Sequence, residues 1–277
     1  MLRLTGLIVA VLLLTACEDS AVPDQEIAAF QGGRVEGGAA QPLGLEAFKP
    51  LLRSAVVPGV SLHHIADPRG QMAVAVVDLQ SFTGNIVGVD THPQGVSTAT
   101  VLEDPGVAVL IGSGFVTELN ALTPVGLLQI DGRVVSKIQR HGYTRVLGID
   151  AHRIGVVDHL NFERGLFPSA LQAGPGVVEA GQLDIAERDL QRVPYFRALV
   201  GACDGQGLLA ASLTPMHLYS AGQLILEFAK RNALACDEVV NLAGDREALL
   251  AVRTPDGDAV YIGNPRTRKA AIITFSR

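Results

Sequence analysis

Few groupings in this sequence have the spacing of a metal site or an activated nucleophile. His63-His64 are adjacent, so on a strand their rings point to opposite faces. Asp150-Ala151-His152 and Asp158-His159 supply donors within a turn-rich stretch, but they lack a zinc-ligand pattern. They are read as solvated turn residues rather than metal ligands; no metal motif is evident, and the cofactor is left unassigned. A lipase-type serine is equally unsupported, because the chain has no Gly-x-Ser-x-Gly elbow. Gly112-Ser113-Gly114 lacks the later glycine of a dinucleotide loop. Cys203 and Cys236 form an even pair. They are either bridged or two buried free thiols. A bridge is the favoured reading and would contribute about 3 kcal/mol by restricting the unfolded chain.

The elements that must position any site are mostly strands. From Val57 onward, β-branched apolar runs recur between turn signals. They include Met72–Leu79, Val107–Ile111, Leu127–Ile130, Val134–Ile138, Arg145–Ile149, Ile154–Val157, Ala198–Ala202, Leu208–Ser212, Val239–Leu242, Ala248–Val252, Ala259–Ile262 and Ala270–Phe275. Asp131-Gly132, Asp204-Gly205 and Asp256-Gly257 stand between such runs. Asp-Gly tolerates the positive φ of tight hairpins, so three antiparallel connections are expected there. One helix is clear. Ser220 and Gln223 have the spacing of a capping box, and Tyr219 and Leu224 that of its hydrophobic staple. Leu224, Ile225, Phe228 and Ala229 then form an apolar stripe, and the helix should end near Ala235. The expected fold is α+β: a mixed, largely antiparallel sheet domain with hairpins and a few packed helices.

The amino-terminal end carries a different signal. Arg3 precedes a short apolar stretch, Leu7 to Leu14, and small residues follow; this is the pattern of a secretory signal over residues 1–16. The stretch is too short to cross a bilayer, which needs about 20 apolar residues. Leu14-Thr15-Ala16-Cys17 resembles the bacterial lipobox. That resemblance implies an acylated Cys17, with attachment to a membrane of the cell envelope on its periplasmic or external side. Residues 18–44, rich in Gly, Ala, Pro and Gln, read as a tether, with a short helical piece expected within 45–53. The expected organisation is therefore a signal at 1–16, a lipidated cysteine and tether at 17–56, and a folded domain at 57–277. Net charge is −6, with no run of Lys or Arg, which argues against nucleic acid as a partner. Trp is absent, so no aromatic platform for stacking on sugars is evident. A hydrophobic share of 48% provides for a sizeable core.

Four segments, in order, resemble the phosphodiester glycosidase family. A strand ending in Asn-Gly-Gly-Phe-Phe, then Pro-x-Gly and an Asp-Gly hairpin, is matched by Leu110 to Val116, Pro124-Val125-Gly126 and Asp131-Gly132. Gln-Ala-Gly-Pro with a later Gly stands as Gln172-Ala173-Gly174-Pro175 and Gly181. Arg-Thr-Ala-x-Gly stands as Arg197 to Gly201, with Asp204-Gly205 after it. A helix followed by Asn-Leu-Asp-Gly-Gly stands as Asn241-Leu242-Ala243-Gly244, with Asp245 and Glu247 beyond. The resemblance covers roughly residues 57–277. Two departures fall on polar positions of the motifs: Gly112 replaces Asn, and Ala243 replaces Asp.

The resemblance implies a hydrolase acting on a sugar-1-phosphodiester, a reaction in which carboxylates normally serve as nucleophile or base. Arg197 would hold the phosphate through its planar fork. Asp245 or Glu247 would replace the missing carboxylate, since on an extended strand residues 243, 245 and 247 share a side. Gly112, Ser113, Gly114, Phe115, Gln172, Asn241 and Gly244 would line the substrate site. The alternatives are a degenerate member that binds an envelope glycan or envelope protein without turnover, and a purely structural lipoprotein.

Overall fold

The computed structural model describes residues 56–117 and 122–277. The signal, Cys17, the tether and the helical piece expected at 45–53 lie outside the described residues. Every strand pairing described is antiparallel, and the strands make one seven-stranded and two five-stranded sheets.

The seven-stranded sheet runs β1 (Val60–Asp67), β2 (Gly70–Asp78), β13 (Gln206–Ser212), β12 (Arg197–Cys203), β14 (Cys236–Gly244), β10 (Gly176–Glu179) and β11 (Gln182–Leu183). The second sheet runs β16 (Ala259–Gly263), β15 (Leu249–Arg253), β4 (Val107–Ser113), β17 (Ala271–Ser276) and β3 (Thr83–Gly88). The third runs β6 (Arg133–Ser136), β5 (Leu128–Ile130), β9 (Ser169–Ala173), β7 (Arg145–Asp150) and β8 (Arg153–Asp158).

The period-two alternation of these strands explains the core. Ala73, Ala75 and Val77 of the first sheet, Val109 and Ile111 of the second, and Leu147 and Leu171 of the third are buried in one cluster. The opposite face of the first sheet, with Met72, Val74, Leu199 and Val239, is covered by helix α2 (Leu218–Arg231) through Leu224, Ile225 and Phe228. A shorter helix, α1 (Thr98–Leu102), packs Val101 onto the outer face of the second sheet. On the third sheet, Phe167 lies across Gly148 and Gly155, and a Cβ at either glycine would collide with its ring.

The antiparallel sheets, hairpins and few helices expected from the sequence are present, but the fold is mainly β rather than α+β. All three Asp-Gly pairs do connect antiparallel strands: β5 to β6, β12 to β13, and β15 to β16. The long helix starts earlier than its sequence signals indicate. His217 is its N-cap, and Ser220 sits buried in the first turn. The cap comes from far along the chain: the Tyr219 N–H donates to Asp189 Oδ2, and the His217 ring meets the Asp189 carbonyl. The helix ends at Arg231, with Asn232 as C-cap, short of Ala235. Cys203 and Cys236 face each other across β12 and β14 and form a disulfide.

Candidate functional site

The four motifs are drawn together by strand pairing. Arg197 opens β12 and lies opposite Gly244 at the end of β14. Past Gly244, a 3-10 turn (Asp245–Glu247) leads into β15, which pairs with β4. The Gln172 to Pro175 segment joins β14 at Asn241. The Gly174 N–H donates to the Asn241 carbonyl, the Asn241 N–H to the Pro175 carbonyl, and Asn241 Nδ2 to the Gly174 carbonyl.

Gln172 is committed to the scaffold. Its Oε1 accepts from the N–H groups of Leu127 and Gln139 at 3.1 and 2.8 Å. Its Nε2 donates to the carbonyls of Gln139 and Tyr143 at 2.6 and 2.7 Å. Gly126, with φ +79, brings the backbone so close that any Cβ there would strike this amide. The Pro-x-Gly and Gln-Ala-Gly-Pro motifs therefore meet in one contact. Through Gln172, the loop bearing Tyr143 is tied down, and the Tyr143 ring lies 4.3 Å from that of Phe115.

Arg197 is in the opposite condition. It is half-buried, and its Nε donates to the Met216 carbonyl at 3.3 Å. The guanidinium carbon stands 5.2 Å from the Tyr195 ring centre, a cation–π distance. Burial lowers its pKa, and the charges of Asp189 and Asp245 oppose that shift. Neither carboxylate is within ion-pair reach, and among the described residues its terminal nitrogens have no acceptor. A guanidinium in this state can take a phosphate or carboxylate oxygen pair.

Asp245 is held in the left-handed region, with φ +50. Non-glycine residues seldom occupy it, and Asp tolerates it better than most. Its N–H donates to the Phe196 carbonyl, and its own carbonyl accepts from the Ala248 N–H. Burial raises the pKa of its carboxyl group, partly offset by a backbone hydrogen bond with Phe196 and by the charge of Arg197.

Glu247 goes elsewhere. The turn breaks the strand alternation, so the expectation that residues 243, 245 and 247 share a side does not survive. Glu247 is buried, with Oε2 3.4 Å from Nζ of the fully buried Lys269. Gly112 lies against this pair: a Cβ there would fall 2.9 Å from the Glu247 carbonyl and 3.3 Å from Lys269 Cε.

Unsatisfied buried polar atoms are uncommon in folded proteins. Ser113 Oγ and Asn241 Oδ1 are two such atoms, both on motif residues, while Glu247 Oε2 has the Lys269 ion pair but no hydrogen bond. Gly114 follows β4 with φ +91, a conformation suited to glycine, and turns the chain toward Phe115.

Sequence reasoning missed Lys269, Asp189 and Tyr195. Lys269 stands outside the four motifs, and nothing local in the sequence marks it for burial. Asp189 and Tyr195 belong to no motif, and only the fold brings them to Arg197. The earlier histidines are structurally engaged. His152 Nδ1 meets the carbonyls of Leu79 and Phe82, and the His159 ring nitrogens meet those of Thr144 and Arg140. Among the described residues, no group of three or more His, Cys, Asp or Glu is placed to hold a metal. Two open clefts of about 500 and 440 Å³ beside the third sheet both include Asp131 of the first motif, but neither includes Arg197, Asp245, Gln172 or Asn241. Chemistry rather than concavity thus directs attention to Arg197 and Asp245.

No protein-family model and no curated protein sequence matches the chain. Its fold is shared with solved structures at low identity. A zebrafish N-acetylglucosamine-1-phosphodiester alpha-N-acetylglucosaminidase catalytic domain, auto-inhibited by its pro-peptide, superposes with a TM-score of 0.56 and 14% identity, covering 81% of this chain and 85% of that one. A hypothetical protein from Synechocystis gives a TM-score of 0.52 and 13% identity, covering 79% of this chain and 62% of its own. The chain thus shares the overall fold of these two solved structures. At these identities the likeness extends to the fold alone.

Proposed function

We propose that this domain takes a phosphodiester-linked sugar of a cell-envelope glycan and hydrolyses its glycosidic bond, on a protein anchored to the membrane through a lipid on Cys17. The observation that carries the reading is Arg197: a half-buried guanidinium whose terminal nitrogens have no acceptor among the described residues, beside the carboxyl of Asp245. The glycosidase fold and the four motifs, in order, support it.

In this reading the diester phosphate lies on Arg197. Ionised Asp245 removes a proton from water as its oxygen bonds to the anomeric carbon. The bond from that carbon to the phosphate oxygen breaks, and its electron pair leaves with the phosphate. A phosphate leaving group needs little protonation, so one carboxylate suffices. Passage through an oxocarbenium-like state accords with glycoside hydrolysis generally. The polar atoms of Ser113 and Asn241 are available to sugar hydroxyls after a modest rearrangement.

The test is hydrolysis of a sugar-1-phosphodiester with a chromogenic leaving group, beside Arg197→Ala. Turnover lost in the variant supports the reading; no turnover across several sugars removes the hydrolase. Mass spectrometry of the membrane fraction tests acylation of Cys17.

A second reading is a glycan-binding protein without turnover. Its specific support is that Glu247 is neutralised by Lys269 and position 243 has no carboxylate, leaving Asp245 alone. Binding of an intact diester that depends on Arg197, without product, would favour it.

A further inference from the structure

Lys269 has no counterpart in the sequence motifs, yet it lies at their centre. It precedes β17, and backbone hydrogen bonds tie it to Val96 in both directions. Its side chain is fully buried and reaches Glu247 Oε2 at 3.4 Å. Removing two charges from water is costly, and an apolar pair of similar volume is often as stable. Stability alone is therefore a weak reason for the pair.

The pair sits on the turn that matters. Glu247 closes the 3-10 turn that Asp245 opens, and Asp245 is held there at φ +50. A non-glycine residue in that region is strained and persists there only where its surroundings enforce it. Gly112 supplies the room: a Cβ on it would crowd the Glu247 carbonyl at 2.9 Å, Leu249 Cβ at 3.1 Å and Lys269 Cε at 3.3 Å. The bare position in β4 and the buried lysine are complementary in shape.

We propose that Lys269 is a positioning residue: through Glu247 it locks the turn that sets the Asp245 carboxyl beside Arg197, and Gly112 is the space that admits it. The inference deepens the reading above and rests on it for the ligand, though not for the turn.

The test uses the full chain with Lys269→Met/Glu247→Met, which keeps volume while removing both charges. Amide hydrogen exchange reports local opening. The amides of Asp245 and Ala248, bonded to the Phe196 and Asp245 carbonyls, should exchange about tenfold faster than in wild type. Those of Leu199 and Val200 in β12 should not change. Affinity for methyl N-acetylglucosamine-1-phosphodiester should fall about tenfold while the melting temperature stays near that of wild type. Glu247→Gln, a milder change that keeps the shape, should move the same two amides in the same direction. Unchanged exchange at Asp245 and Ala248 in both variants overturns the proposal. If wild type binds no diester while those amides still respond, the functional reading fails and the positioning role stands.

Discussion

Gln172 and Arg197 come from motifs of equal standing in the sequence, and the fold uses them in opposite ways. All four hydrogen bonds of the Gln172 amide go to backbone groups of two neighbouring segments. Among the described residues, Arg197 makes one side-chain hydrogen bond and its terminal nitrogens have no acceptor. The difference separates residues that build a site from residues left to act in it. A motif position identifies neither role; the state of its polar atoms does.

The largest expected effect lies on the building side. Gln172→Ala leaves the buried Leu127 N–H without its partner and frees the loop carrying Gln139 and Tyr143. It should cost about 3–5 kcal/mol, read as a lower urea midpoint. A loss under about 1 kcal/mol would break the comparison.

Next comes the staple at the far end of the β12–β14 ladder. Cys203→Ser/Cys236→Ser opens a bridge spanning a sequence separation of 33. It should cost about 3 kcal/mol in thermal unfolding, with ligand affinity unchanged in the protein that remains folded.

Arg197→Ala should reverse that pattern. Stability falls by about 1 kcal/mol, the worth of one hydrogen bond, while diester affinity in calorimetry drops about tenfold or more. Equal affinity in the two proteins would place the anion elsewhere.

The smallest effect belongs to Asp245→Asn, which keeps a residue tolerant of positive φ. Burial raises the folded-state pKa above its ordinary 3.8, so the fold favours the protonated acid. That contribution is present below the ordinary value and is lost as pH rises through the raised one. The melting temperature of the variant relative to wild type should therefore increase from about pH 3 to neutrality, by about 1–2 °C. A difference independent of pH would mean that the carboxyl is not held in a desolvated place.

Much of the sheet framework was legible because β-branched runs and Asp-Gly turns are local signals. The strand runs named from sequence correspond to β2, β4 to β8 and β12 to β17. β9 escaped because Ser169-Ala-Leu-Gln-Ala173 has no strand propensity. Its five residues are all buried, and pairing with β5 and β7 imposes the extended form. β3 escaped because Gly84, Asn85 and Gly88 dilute its apolar pattern. The start of the long helix was misplaced because its cap, Asp189, is 30 residues from Tyr219.

At the candidate site, the sequence motifs single out Arg197 and Asp245, and the fold places them near one another. The inward turn of Glu247 was not, since it depends on a 3-10 turn and on a lysine that sequence would leave in solvent. Gln172 was expected to contact substrate; its amide is instead the clamp between two loops.

Phe167 and the two glycines beneath it carry an evolutionary consequence. Neither Gly148 nor Gly155 can gain a side chain while that ring remains, and a smaller residue at 167 would leave a void under both. The three positions must drift as a unit. Such a trio should remain recognisable in relatives whose other sequence motifs have diverged. Coordinated change at 148, 155 and 167 is thus a means of tracing descent that is independent of whether a relative still performs any chemistry.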